Sequence, residues 1–367
     1  MSQTYQIADA AVSETPLAGR LSAENPALEL KMHRGAQTPL RFAGKSSELK
    51  ALLHTAGIFD LGFRIVVRAT GKDRVRWLNG MITQTVKGMG EGETGYTLVL
   101  NPQGRIQGDA DLSVYDDFLQ LETDRSQAER LLSHLRRYII MDDVKLDPLD
   151  GAMTAFGIAG PQAASLLAKL GGPVSESGKF QSGTLAGAEV TILAGYGPVV
   201  PRYEIHVASD AVLPLWNAFM DAGATPCGVE AMEDFRILEG VPAFDVDFSD
   251  KHLPQEANLH RALNYTKGCY IGQEIVERIR ARATVHRSLR QFQLEGATSA
   301  FAPGEKIELR ADDATAGELT SVARFELPEF QKTLALGVAR VEALEKALHY
   351  EGGRAIPLEG PPAPAHP

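Results

Sequence analysis

The spacing of apolar residues predicts alternating strands and helices through the middle of the chain. The strands predicted in the first stretch are short and cover residues 63–67, 96–100 and 109–115. The helices predicted between and after them cover residues 72–82 and 126–138. The same order of strand and helix returns over residues 150–225. We therefore expect two related α+β units.

The pattern changes near Leu289 to short strands that are separated by turns. These strands are predicted over residues 291–294, 306–309, 318–324 and 333–338. An all-β barrel is the natural interpretation of such a series. The two ends of the chain show little periodicity, so we expect a loosely ordered lead-in over residues 1–35 and a disordered, proline-rich tail over residues 352–367.

Composition and charge narrow the class of protein. The chain has 367 residues, which is too long for one ordinary core, so we expect two or three domains. Of these residues 44% are hydrophobic and 23% are charged, which is typical of a soluble globular protein. It has no apolar run of the roughly 18 residues that a membrane helix needs, and its first residues do not resemble a secretory signal. We therefore expect a cytoplasmic protein with no membrane partner. The net charge of −10 also argues against a general nucleic-acid binder.

The chain has two cysteines, Cys227 and Cys269, which are far apart in the sequence. Neither belongs to a C-x-x-C pair, so the pattern indicates neither a disulfide framework nor a zinc site, and no metal site is predicted. Two thiolates are also too few for the four that usually hold an iron–sulfur cluster. Any function with such clusters would therefore be indirect or shared with a partner.

Residues 267–274 form the most specific motif of the chain and read Lys-Gly-Cys-Tyr-Ile-Gly-Gln-Glu. Cys269 lies shortly before a predicted helix and two residues after Lys267. A helix N-terminus and a neighbouring cation both favour the thiolate, which makes this cysteine a candidate nucleophile or ligand. The alternative is a small cysteine that simply fills a tight turn.

The string KGCYIGQE resembles the signature of the YgfZ-type family, a folate-binding branch of the glycine-cleavage T-protein superfamily. Residues 236–259 and the hairpin over residues 94–106 are similar to that superfamily as well, and the resemblance covers about residues 40–345. It implies an α+β fold with three lobes around a central folate channel: two related α/β lobes with antiparallel sheets, and a small C-terminal β-barrel. The corresponding boundaries are residues 36–148 plus 228–283 for the first, folate-binding lobe, 149–227 for the second lobe, and 284–351 for the barrel.

The resemblance also implies a function and a set of site residues. It implies that tetrahydrofolate or a one-carbon derivative is bound, and that the protein supports the assembly or repair of iron–sulfur enzymes, including enzymes that modify tRNA. The expected partners are iron–sulfur enzymes or their assembly factors. Cys269 and Lys267 are the expected reactive residues, and the expected folate contacts are Tyr96, Asn101, Asp109, Arg236, Tyr270, Gln273 and Glu274.

Two other functions compete with this one. The protein could be a folate-dependent aminomethyltransferase or another one-carbon transferase. For such an enzyme the resemblance implies two adjacent aspartates, one of them catalytic, whereas Asp109 and Asp111 are separated by Ala110. It could also bind RNA, or the polyglutamate tail of a folate, through a local stripe of arginines. The arginines of this stripe are Arg278, Arg280, Arg282, Arg287 and Arg290.

Overall fold

The structure is a computed structural model that describes residues 13–282, 285–296 and 304–362. Its helices are α1 (Pro16–Glu24), α2 (Lys45–His54), α3 (Arg74–Met81), α4 (Arg125–Arg136), α5 (Ala163–Lys169), α6 (Val212–Ala222), α7 (Val229–Leu238) and α8 (Gln273–Arg282). Its strands up to the second lobe are β1 (Leu30–His33), β2 (Ala36–Pro39), β3 (Gly57–Asp60), β4 (Arg64–Thr70), β5 (Thr94–Leu100), β6 (Ile106–Val114), β7 (Leu119–Asp124) and β8 (Lys145–Pro148). The later strands are β9 (Met153–Ala159), β10 (Phe180–Leu185), β11 (Ala188–Ala194), β12 (Arg202–Ala208), β13 (Thr225–Cys227), β14 (Arg287–Gly296), β15 (Ile307–Ala311), β16 (Ala314–Leu327), β17 (Phe330–Arg340), β18 (Leu348–Tyr350) and β19 (Gly353–Leu358).

The first sheet is antiparallel and has the strand order β5-β6-β7-β4-β8. Helix α4 packs on it through the apolar face that the sequence predicts, because Leu131, Leu132 and Leu135 are all buried in the core of this lobe. Burying such a stripe is what stabilises a short helix in a protein.

The second sheet repeats the first with one strand added. The series β4–α3–β5–β6–β7–α4–β8 matches β9–α5–β10–β11–β12–α6–β13, and the second sheet has the order β10-β11-β12-β9-β3-β13. The added strand, β3, lies between β9 and β13 and is parallel to β13. The two related units are therefore present, but residues 57–60 belong to the sheet of the second lobe, not the first lobe as predicted.

The C-terminal strands form a closed barrel with the order β14-β17-β16-β15-β18-β19. Strand β19 closes it by pairing with β14 over residues 291–296. The prediction of a disordered tail is therefore wrong for residues 353–358, since pairing with β14 satisfies their backbone despite the nearby prolines. Residues 363–367 of the predicted tail lie outside the described residues.

The predicted loose lead-in is also wrong where the structure describes it. Helix α1 begins after Thr15, whose hydroxyl accepts a hydrogen bond from the Ala18 backbone N–H at 3.0 Å. The same hydroxyl donates to the buried carboxylate of Asp60, and Leu17 is fully buried. Long-range contacts thus order a helix that is too short to show a clear periodicity. Residues 1–12 lie outside the described residues.

None of the helices in residues 13–282, 285–296 and 304–362 is long and apolar enough to cross a membrane.

Candidate functional site

A cavity of about 450 Å³ lies between the two sheets. Its walls come from β4, β5 and β6 of the first lobe, from β11 and β12 of the second, and from the loops around them. Its charged and aromatic lining residues are Arg34, Arg64, Arg202, Arg261, Asp109, Asp111, Asp124, Glu204, Phe63, Phe244, Tyr96 and Tyr196.

Two of the predicted folate contacts meet in this cavity. The hydroxyl of Tyr96 donates a hydrogen bond to Asp109 Oδ2 at 2.6 Å, and Gln127 Nε2 donates to Asp109 Oδ1 at 2.6 Å. Burial, and then the charge of Asp109, raises the pKa of Tyr96 well above its usual value. The Tyr96 hydroxyl therefore stays protonated and donates to Asp109. The two hydrogen bonds hold the Asp109 carboxylate in one orientation in the cavity.

Asp111 lies on the same wall as Asp109. Because side chains alternate along a strand, residues two apart on β6 face the same side. Both carboxylates accordingly line the cavity. Burial raises the pKa of Asp111 to about 6, although Arg64 acts against that rise. In the sequence, the separation of Asp109 and Asp111 by one residue argued against a transferase. In the structure, the same separation places both carboxylates in one cavity.

Arg64 organises the acidic residues of the cavity. Its guanidinium donates to Glu204 Oε2 at 2.7 Å and to Asp111, and its Nε lies 3.4 Å from Glu122 Oε1. Burial alone would raise the pKa of Glu122, but Arg64 and His206 hold it at about 2. The arginine belongs to the first lobe and Glu204 to the second, so this ion pair also joins the two sheets.

Glu122, Glu204 and His206 have the spacing of a metal site. Their ligand atoms lie within 4.8 Å of one another, and all three residues are buried. Burial lowers the pKa of His206, but Glu122, whose Oε2 lies 2.9 Å from His206 Nε2, raises it more, so the net shift is upward. Arg64 supplies, beside these carboxylates, the positive charge that a metal would supply elsewhere.

Arg236 lines a second, smaller cavity of about 110 Å³ that shares wall residues with the first. Its Nε donates to Glu233 at 2.7 Å, its Nη1 to Asp247 at 2.7 Å, and its Nη2 to the Ser321 hydroxyl at 3.0 Å. Each nitrogen already has a protein acceptor. Arg236, which was predicted to contact folate, thus connects α7 to a loop and to the barrel through buried hydrogen bonds.

Lys267 of the signature segment points into the protein. Its Nζ donates to the carbonyl oxygens of Asn79, Ile82 and Gln84 at 2.6 to 2.7 Å. Burial lowers the pKa of Lys267 to about 7. Three acceptors on one amino group favour its charged form and act against that shift. The amino group thus holds the loop after α3 in place.

Cys269 is exposed, and the residues around it fix the segment on the surface of the first lobe. Gly272 packs directly on the β5–β6 turn, where an added Cβ would lie 2.7 Å from the Asn101 carbonyl oxygen. Asn101 shapes that turn, since its Oδ1 accepts from the backbone N–H groups of Gln103 and Arg105. Asn101 is thus a structural residue of the turn and does not line either cavity.

The remaining residues predicted in the signature segment also lie away from the cavity. Tyr270 is buried in a hydrophobic cluster, and its hydroxyl has no hydrogen-bond partner in the part of the chain that the structure describes. Gln273 begins α8, and Glu274 is exposed in its first turn. Neither cavity is lined by any residue from 267 to 274. The structure therefore divides the predicted site into a cavity and a separate surface segment.

The predicted arginine stripe is divided between two elements. Arg278, Arg280 and Arg282 are exposed on α8, and Arg280 lies over the ring of Tyr265 at 4.4 Å. The other two arginines are on β14, where Arg287 Nε donates to Glu256 at 3.2 Å. An RNA or polyglutamate contact at these arginines stays a prediction.

The arginines of the cavity and Glu204 were not predicted from the sequence. A signal was present for Arg64, which interrupts the apolar run of residues 63–67, but not for Glu204, whose strand alternates polar and apolar residues. A charge inside a buried strand usually has a partner, but only the tertiary structure shows which one.

The family follows from comparison with known proteins. A model of the GCVT N-terminal domain matches residues 26–267, which is more than half of the chain. The chain belongs to the glycine-cleavage T-protein superfamily. Among curated T-protein relatives, the aminomethyltransferase of Nostoc sp. is 27% identical over 277 residues, covering 71% of this chain and 72% of its own. That of Rubrobacter xylanophilus is 26% identical over 267 residues, covering 71% of each chain.

The fold of the superfamily is confirmed by a solved structure. Aminomethyltransferase T of the glycine cleavage system from Bartonella henselae aligns with a TM-score of 0.84, over 95% of this chain and 97% of its own. Its identity of 18% supports likeness of fold alone. The predicted class, with antiparallel sheets and a closed C-terminal barrel, is thus the T-protein fold.

Proposed function

We propose that this protein binds tetrahydrofolate or a one-carbon derivative of it in the cavity between the two sheets. The observation that carries the proposal is the acidic wall, where Asp109, Asp111 and Glu204 line one space. A pterin ring presents an amide N–H and an amine, and carboxylates are their natural acceptors. A volume of about 450 Å³ is in the range of small-molecule sites.

A thermal-shift titration tests this binding. A ligand present at 100 times its Kd should stabilise the protein by about 2.7 kcal/mol. Asp109→Asn should reduce the shift, because the amide group would present a donor where the ring needs an acceptor. Asp117→Asn is the matched control, since Asp117 is exposed at the β6–β7 turn and lines neither cavity. An unchanged melting temperature of the wild-type protein in millimolar tetrahydrofolate would contradict the proposal.

We further propose that the protein acts as a YgfZ-type accessory factor, cytoplasmic, for iron–sulfur enzymes or their assembly factors, and through them for tRNA modification. The support is the exposed thiol of Cys269 within the KGCYIGQE segment, which a partner protein can reach without entering the folate cavity. Cys227 offers an internal control, because burial raises the pKa of its thiol well above the usual value.

Two experiments test this accessory function. Iodoacetamide should alkylate Cys269 before Cys227 in the folded protein. Cys269→Ser should fail to restore iron–sulfur enzyme activity in cells that lack the protein, whereas Cys227→Ser should restore it. Full rescue by Cys269→Ser would show that the thiol is not the functional group.

A folate-dependent one-carbon transferase is the second candidate. Asp109 and Asp111 both line the cavity, and a carboxyl group with a pKa of about 6 can take and give up a proton near neutral pH. The relatives named aminomethyltransferases favour this candidate too. Formation of methylenetetrahydrofolate from an aminomethylated carrier protein, at about 1 per second or more, would establish it. Loss of that turnover in Asp111→Asn would assign the proton transfer to Asp111.

A further inference from the structure

Arg261 lies over the rings of two tyrosines at the opening of the cavity. Its guanidinium carbon lies 3.7 Å from the ring centroid of Tyr96 and 4.2 Å from that of Tyr196. Tyr96 is on β5 of the first lobe, and Tyr196 is in the loop between β11 and β12 of the second. Arg261 and Tyr196 are both exposed, and all three residues line the cavity. These contacts therefore span the two lobes at the rim.

Arg261 differs from the other arginines of the cavity wall in its charge partners. Arg34, Arg64 and Arg202 each have a carboxylate oxygen within 4.0 Å. Arg261 has none at that distance within residues 13–282, 285–296 and 304–362. Its charge acts at longer range on the wall, where burial raises the pKa of Asp111 and Arg261 acts against that rise. Within the part of the chain that the structure describes, Arg261 is thus a cation at the cavity opening without an ion pair.

The contacts with the tyrosine rings bear on which donors of Arg261 are available. The guanidinium carbon lies over both rings. Cation–π contacts of this kind do not use the N–H donors of the guanidinium, which stay available for hydrogen bonds. Those donors form the fork that binds a carboxylate through two parallel hydrogen bonds. The rings also hold the long side chain in place, so less rotamer freedom is lost when an anion binds.

We propose that Arg261 is a clamp for a carboxylate of the ligand, namely the glutamate tail of a folate. This inference rests on the proposed folate binding. Asp109, Asp111 and Glu204 would repel the tail from the inner wall and accept hydrogen bonds from the ring, whereas Arg261 attracts the tail to the rim. The two ends of the cavity wall thereby set the direction in which the ligand enters.

Calorimetric titration of three ligands tests the clamp. The ligands are tetrahydrofolate, a tetrahydropterin without the benzoylglutamate tail, and p-aminobenzoylglutamate, which is the tail half alone. Arg261→Gln should weaken tetrahydrofolate about tenfold, the loss expected for one charge-assisted pair. It should leave the tetrahydropterin unchanged. Arg324→Gln, which removes an exposed cation of the barrel, should change none of the affinities.

Further variants separate the clamp from a general loss of structure. Arg261→Lys keeps the charge but not the fork and should weaken tetrahydrofolate by less than Arg261→Gln. Tyr196→Leu keeps the guanidinium but removes one ring, and should also cause the smaller loss. If Arg261→Gln binds tetrahydrofolate as tightly as the wild type, or weakens both pterins equally, the clamp is refuted.

The outcomes also distinguish the clamp from the proposed folate binding. Tetrahydrofolate binding that does not depend on Arg261 supports the proposed function and overturns the clamp. Binding of p-aminobenzoylglutamate that depends on Arg261, without any binding of the tetrahydropterin, supports the clamp and overturns the pterin site. If the wild-type protein binds none of the three ligands, both proposals fall.

Discussion

Replacing Arg64 by methionine tests whether one buried cation holds the acidic wall and the two lobes together. The Arg64 side chain is only 11% exposed and lies against the carboxylates of Asp111, Glu122 and Glu204. Methionine keeps most of the apolar stem, so the packing loss should be small. What the substitution removes is the positive charge and its hydrogen bonds.

The expected cost follows from the burial of the partners. Breaking a buried ion pair by removing one partner costs about 3–5 kcal/mol, because an uncompensated charge remains in a poorly solvated site. Glu122 and Glu204 are both buried, and only His206 remains beside Glu122. We therefore expect Arg64→Met to lower the free energy of unfolding by about 3–5 kcal/mol at pH 8.

The pH dependence of this loss has a definite sign. In the wild type, Arg64 and His206 hold the pKa of Glu122 at about 2, against the effect of burial. Its ionised form therefore adds stability above the unfolded pKa, and this stability is lost as the pH falls toward 2. Without Arg64 the carboxylates bind protons more readily. The deficit of the variant should be largest at pH 8 and smaller at pH 5.

Urea unfolding at both pH values measures the loss. Arg76→Met is the matched control, because Arg76 also pairs with two aspartates but its side chain is 71% exposed. Its unfolding curve should stay close to that of the wild type, since exposed ion pairs contribute little. A loss in Arg64→Met below about 1 kcal/mol at pH 8, or a larger loss at pH 5 than at pH 8, would refute the reasoning.

Two further substitutions test a buried carboxyl group and a close backbone contact. Burial raises the pKa of Asp60 to about 6, so the unfolded chain loses this proton first as the pH rises. The site should cost about 3 kcal/mol of stability between pH 4 and 7, and Asp60→Asn should remove that slope from a pH series of unfolding curves; an unchanged slope would contradict the assignment. Gly272→Ala should cost about 2 kcal/mol in urea unfolding, because Gly272 has a φ of 82° and faces the Asn101 carbonyl. Gly268→Ala, with no atom within 4 Å of the added Cβ, should be nearly neutral, and equal losses would show the contact to be irrelevant.

Elements with strong local patterns could be predicted from the amino-acid sequence. Apolar periodicity predicted α4 and the strands of the first hairpin, and the recurring strand–helix order predicted two related units. Tyr96 and Asp109 were both predicted to contact folate, and they meet as diagonal neighbours on the paired strands β5 and β6, where Tyr96 lies opposite Asp111. Periodicity and turn chemistry act over a few residues, which is why a single sequence can reveal them.

The insertion of β3, the formation of α1 and the closure of the barrel by β19 could not be predicted in this way. Each is short, and each is stabilised by partners far away in the chain, as β3 is by β9 and β13. The acidic wall of the cavity also depends on distant partners, because Arg64 and Glu204 are 140 residues apart in the sequence. Ion pairs and edge-strand pairing depend on which segments fold against each other, and no local pattern contains that information. For the same reason, the exposure of Cys269 could not be predicted from the local sequence.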